Sequence, residues 1–89
     1  MAVSNEVKGP VKFTDPLDAV AYRRKWTYLR WVGATTAGHT LVINDADGDL
    51  VWDSEADGAN FNDIHPLFQI RTGLTIATMG SGHVLAYFE

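Results

Sequence analysis

The sequence predicts an all-β domain, a small β-sandwich or barrel of about six to seven antiparallel strands. Three observations carry this expectation. Short runs rich in β-branched and aromatic residues recur along the chain. Turn-forming Gly, Asp, Asn and Pro punctuate them at regular spacing. No stretch keeps a helical apolar period for more than a turn or two; residues 16–23, with Leu17, Val20 and Ala21, are the one place for a short helical turn.

The elements follow in order. Residues 1–10 are polar and end in Gly9-Pro10, which reads as an arm. Val11-Lys12-Phe13 begins an extended segment, so 1–13 form the arm and first extended piece and 14–89 a single β domain. Thr14-Asp15-Pro16 is a turn signal. From Lys25 to Gly33 the residues alternate. Trp26, Tyr28, Arg30 and Val32 are expected on one face, and Thr27, Leu29 and Trp31 on the other. After a loop of small residues, Thr40–Asn44 and Asp49–Asp53 form a hairpin about Asp45-Ala-Asp-Gly48, where Gly48 can take positive φ. Ser54–Asn62 reads as a loop. Ile64–Arg71, which contains Pro66, reads as a crossing between sheets that ends in a short strand. Leu74–Met79 and His83–Phe88 are strands joined by a tight Gly80-Ser-Gly82 turn.

Eighty-nine residues make one domain with a thin core. Cysteine is absent, which excludes disulfides and thiolate metal sites. Stability must then come from packing, from association, or from both. Three Trp, three Tyr and four Phe supply the packing, with a surplus suited to interface anchors. No apolar run approaches the ~20 residues needed to span a bilayer. The start lacks the basic-then-apolar pattern of a signal peptide. The expected site of synthesis is therefore the cytoplasm, with no membrane partner.

Charge is segregated. Residues 1–44 carry six Lys/Arg and three acids, and residues 45–89 carry one Arg and eight acids, for a net charge of −4. One basic cluster (Arg23, Arg24, Lys25, Arg30) in an acidic chain is a poor basis for nucleic-acid binding, where phosphate neutralisation dominates affinity. Opposite patches can instead lie on solvated faces of one fold or steer neighbouring subunits head to tail.

Candidate chemistry is sparse. Placing Gly48 at the sixth position of a calcium loop puts Ile43 at the first and Ser54 at the last, and neither is the required ligand. Asp and Gly are also what a hairpin turn demands. His39, His65 and His83 lack the spacing of a local metal site. Ser54 and Ser81 sit in no nucleophile-elbow motif, and Gly80-Ser-Gly82 precedes no helix that could hold phosphate. Trp26, Tyr28 and Arg30 could form a stacking strip for nucleic acid or sugar, though core or protein contact is the simpler reading. The expectation is a non-enzyme with no catalytic residues, cofactor, metal or small-molecule substrate.

Arg30-Trp-Val-Gly-Ala-Thr-Thr-Ala-Gly-His39 is distinctive. It is followed in order by Asn44-Asp-Ala-Asp-Gly48, Val51-Trp-Asp-Ser54, Asp57-Gly-Ala-Asn60, Gly73-Leu-Thr, Met79-Gly-Ser-Gly82 and Val84-Leu-Ala-Tyr87. This order, over roughly residues 28–88, resembles small virion structural proteins of tailed bacteriophages. The resemblance implies a β domain located in the virion. The foremost implied role is a capsid decoration or cement protein that binds the major capsid protein or another virion protein, as an oligomer. The extra Arg and Lys at residues 14–25 depart from the pattern. The alternatives are a tail or head–tail junction component and, from a different class, a small carbohydrate- or ligand-binding β domain. The residues expected at the protein interface are Val11, Phe13, Arg23, Arg24, Trp26, Tyr28 and Arg30, with the arm free to add a strand to a neighbour's sheet.

Overall fold

The computed structural model describes residues 10–89. It is a β-sandwich of eight strands: β1 (Val11–Phe13), β2 (Ala19–Val20), β3 (Arg24–Ala34), β4 (Thr40–Asn44), β5 (Leu50–Glu55), β6 (Phe61–Arg71), β7 (Leu74–Met79) and β8 (His83–Phe88). All pairings are antiparallel. Sheet A has the order β1-β8-β3-β6 and sheet B the order β2-β7-β4-β5. The expected all-β sandwich is thus what the chain forms. Residues 1–9, most of the expected arm, lie outside the described residues, while Val11–Phe13 pairs with β8 as an edge strand of sheet A.

Successive strands pair with each other only in the β4–β5 hairpin; every other connection carries the chain from one sheet to the other. The Gly80-Ser81-Gly82 segment is therefore a corner between sheets and not the expected hairpin turn. Its close packing explains its composition. A Cβ on Gly80 would lie 2.7 Å from His39, and one on Gly82 would lie 2.5 Å from the Val32 carbonyl oxygen, with Gly82 at φ +79°. Only a residue without Cβ fits either place comfortably.

Residues 16–23 form no helix. Leu17 takes φ +71°, and Ala19–Val20 pair with β7 instead. Asp18 shapes this corner by accepting from the amides of Thr14 and Asp15 at 3.0 and 3.1 Å. The Ser54–Asn62 loop is shorter than its composition suggests, because β5 runs to Glu55 and β6 begins at Phe61. Ile64–Arg71 stays within sheet A as part of the 11-residue β6. Pro66 is tolerated there because β6 is an edge strand.

The core lies between the sheets. Phe13, Trp26, Leu29, Trp31, Val84 and Ala86 from sheet A meet Leu41, Ile43, Trp52, Leu74, Ile76 and Met79 from sheet B. Trp26 and Phe88 stack edge to face at 5.5 Å, as do Trp31 and Phe61 at 5.7 Å. Each buried aromatic of this size is worth about 3–5 kcal/mol on truncation to Ala. The side of the sandwich between β5 and β6 is closed by Trp52 stacked flat on His65 at 5.4 Å and by Ser54 Oγ donating to Asp63 at 2.7 Å.

The alternation expected along β3 is broken by a bulge. Between Trp26 and Tyr28, β3 advances two residues while β8 advances one, from Phe88 to Tyr87. The extra residue shifts the phase, so Trp26 points into the core with Leu29 and Trp31 instead of outward with Tyr28. The expected Trp26/Tyr28/Arg30 strip does not exist as one face.

Candidate functional site

The outward face of sheet A is the feature that core packing does not account for. Register places its side chains in rows. Lys12, Leu85, Arg30 and Ile64 form one row across all four strands. Tyr87, Tyr28 and Pro66 form the next. His83 and Val32 extend it on one side. Phe68 packs edge-on against Tyr28 at 4.9 Å on the other. Tyr28 is 39%, Phe68 48% and Ile64 54% exposed. Tyr28, Arg30, Ile64 and Tyr87 line a shallow hollow of about 170 Å³. That is below the ~300 Å³ at which small-molecule pockets begin. Exposed aromatic and aliphatic side chains around a central arginine are instead the make-up of a protein contact.

Each expected interface residue can now be placed. Tyr28 and Arg30 lie at the centre of this face. Arg23 and Arg24 are exposed at the start of β3, and the Arg24 guanidinium lies 5.4 Å from the Tyr22 ring and 5.5 Å from the Phe88 ring. Phe13 and Trp26 are 2% and 0% exposed, so they serve this chain's own core and present no surface. Val11 is half-buried on the inward side of β1, opposite Ala86. Sequence reasoning missed Ile64, Pro66, Phe68, Leu85 and Tyr87. The signal for Leu85 and Tyr87 was present in β8, where His83, Leu85 and Tyr87 alternate with Val84 and Ala86. The larger set faces out and the smaller set faces in, against the usual inference that bulk is buried.

The acidic turn is a structural turn. Asp45 is 6% exposed; its Oδ1 accepts from the amides of Asp47 and Asp49 at 2.9 and 3.0 Å, and its Oδ2 pairs with Arg71 at 3.1 Å. Burial alone would raise the Asp45 pKa. The Asp49 amide, the Arg71 guanidinium and the Asp47 amide outweigh it and hold the carboxyl below its ordinary value. Both oxygens are committed to N–H donors, and the pair ties the β4–β5 turn of sheet B to the end of β6 in sheet A. Around it lies an open groove of about 710 Å³ that also includes Arg23, Lys25 and Asp47. Two of its charges are already engaged with Asp45 and Glu89, at 3.1 and 3.7 Å. Among the described residues, no group of three or more His, Asp or Glu is placed to hold a metal ion.

Ser81 and His39 do meet, with Nδ1 and Oγ 2.8 Å apart. The same hydroxyl accepts from the Thr35 amide, and the Ser81 carbonyl accepts from Trp31 Nε1, both at 2.9 Å. The serine thus joins the β7–β8 corner to the β3–β4 loop. Among the described residues, no hydrogen bond brings a carboxylate to His39, so the pair lacks the third member of a hydrolytic triad. Ser54 is engaged with Asp63 instead. No family model, curated protein or solved structure matches this chain.

Proposed function

We propose that this chain is a structural protein of a tailed-bacteriophage virion, a capsid decoration or cement protein that binds the major capsid protein and stabilises the head. The observation that carries the reading is the exposed outer face of sheet A, with Arg30 set among Tyr28, Ile64, Leu85 and Tyr87. Tyr and Arg are the residue types that dominate binding hot spots. A domain with so thin a core leaves large aromatics in water only at a cost in solubility, which burial in an assembly removes. The order of motifs from Arg30 to Tyr87 supports the phage setting. The role is binding rather than catalysis, and the outer face of sheet A is the surface that brings the domain into the particle.

The test is co-sedimentation with capsids that lack the protein. Saturable binding at a fixed ratio to the major capsid protein is expected. Tyr28→Ser and Ile64→Ser, at exposed positions, should reduce occupancy at least ~10-fold with little change in melting temperature. Absence of binding to capsids, with binding to isolated tails, would move the assignment to a tail or head–tail junction component. Absence of both would overturn the virion reading.

A further inference from the structure

The two outer faces of the sandwich carry opposite charge. Among the described residues, the paired rows on the outer face of sheet A carry the cations Lys12 and Arg30, while Lys25 at the start of β3 is paired with Glu89 at 3.7 Å. The outward side chains of sheet B follow from its register: Thr40 beside Glu55, Val42 between Asp53 and Thr78, and Asn44 between Leu50 and Thr75. They include the acids Asp53 and Glu55 and no cation. These acids sit on the wall of a groove of about 330 Å³, with Thr40, Leu41, Val42 and Ser54 completing the lining. Val42 beside Asp53, with Glu55 two residues further along β5, suits an arginine, which lays its stem on the apolar side chain and donates from a rigid planar fork to the carboxylates.

We infer that the outer face of sheet A docks on the outer face of sheet B of a second copy of this chain, with Arg30 entering the groove beside Asp53 and Glu55. The inference rests on the reading of sheet A's outer face as an assembly surface and deepens it, with a neighbouring copy, rather than the capsid protein itself, covering that face. Pairing two sheet A faces with each other would bring Arg30 and Lys12 of both copies together, and like charges oppose that arrangement. Edge-to-edge pairing through β5 or β6 is discouraged as well. Pro66 lacks an amide donor in β6, its neighbour Phe68 departs from extended geometry at φ +51°, and β5 carries Asp53 and Glu55 along its length. A head-to-tail contact uses different surfaces on its two sides, so it closes into a ring or extends as a filament.

The test is a charge swap read by sedimentation velocity across a concentration series. The wild-type chain should self-associate beyond a dimer, and more weakly at high salt. R30E alone and the double variant D53R/E55R alone should each associate ~100-fold more weakly. An equimolar mixture of the two should recover association, because each reversed face then meets an opposite one. Recovery in the mixture establishes the contact. Wild-type association that survives either variant, or a mixture that stays monomeric, overturns it. Capsid binding separates the two proposals. A chain that is monomeric at every concentration yet loses capsid occupancy on Tyr28→Ser refutes the head-to-tail contact and keeps the decoration role. A self-associating chain that ignores phage particles does the reverse.

Discussion

Trp26 and Trp31 make a controlled pair for measuring what one buried hydrogen bond is worth in this fold. Both are 0% exposed, both belong to β3, and each stacks edge to face on a phenylalanine, at 5.5 and 5.7 Å. They differ at the indole nitrogen. Trp31 Nε1 donates to the Ser81 carbonyl at 2.9 Å, whereas Trp26 Nε1 has no partner among the described residues. Replacing either by Phe removes a similar volume, so the cavity costs largely cancel in the comparison. Trp31→Phe also removes a hydrogen bond with a net worth of about 0.5–1.5 kcal/mol. Trp26→Phe removes an orphaned donor whose burial costs about 1–3 kcal/mol. Trp31→Phe should therefore be the more destabilising change by roughly 1.5–4.5 kcal/mol, taking these two ranges together. Urea unfolding followed by far-ultraviolet circular dichroism measures this, provided the slopes m agree between variants. Equal costs, or a larger cost at Trp26, would refute the account of these two indoles.

Two further outcomes concern stability. Gly82→Ala combines a φ of +79° with a Cβ 2.5 Å from the Val32 carbonyl oxygen, and should cost about 2 kcal/mol or more by the same urea assay. Asp45 has a folded pKa below its ordinary value of 3.8, so its contribution to stability is present above that value and is lost as pH falls through the folded pKa. Asp45→Asn should lower stability at neutral pH and flatten the decline below about pH 4, as read from melting temperatures across an acid series; an acid limb unchanged by the substitution would contradict the assignment.

The fold class was legible because β-branched alternation and turn chemistry are local properties, and the β4–β5 hairpin, with both strands and its Asp-Gly turn adjacent in sequence, was the clearest case. The topology was not, because every other pairing joins strands that are not neighbours along the chain. The bulge at Thr27 shows why the site was only partly legible. Its effect depends on a mismatch with β8, about sixty residues later in the chain, and it alone moves Trp26 from the surface to the core. Tyr28 and Arg30 were placed together on one face of β3, and they share the outer face of sheet A. Their companions Ile64, Pro66 and Phe68 were not recognised, because Pro66 made the segment look like a crossing and only the edge position of β6 makes it a strand.

The strand order has a consequence for how the domain comes into being. β8 is the last of the eight strands to be synthesised, yet it lies between β1 and β3 and contributes Leu85 and Tyr87 to the outer face of sheet A. Before it arrives, β1 has no partner and one edge of β3 is open. Native pairing is dominated by long sequence separations, which places folding toward the slow end, milliseconds to seconds. The outer face of sheet A is thus incomplete on a nascent chain. Only a domain whose synthesis has passed Phe88 can complete that face and cover the open edge of β3.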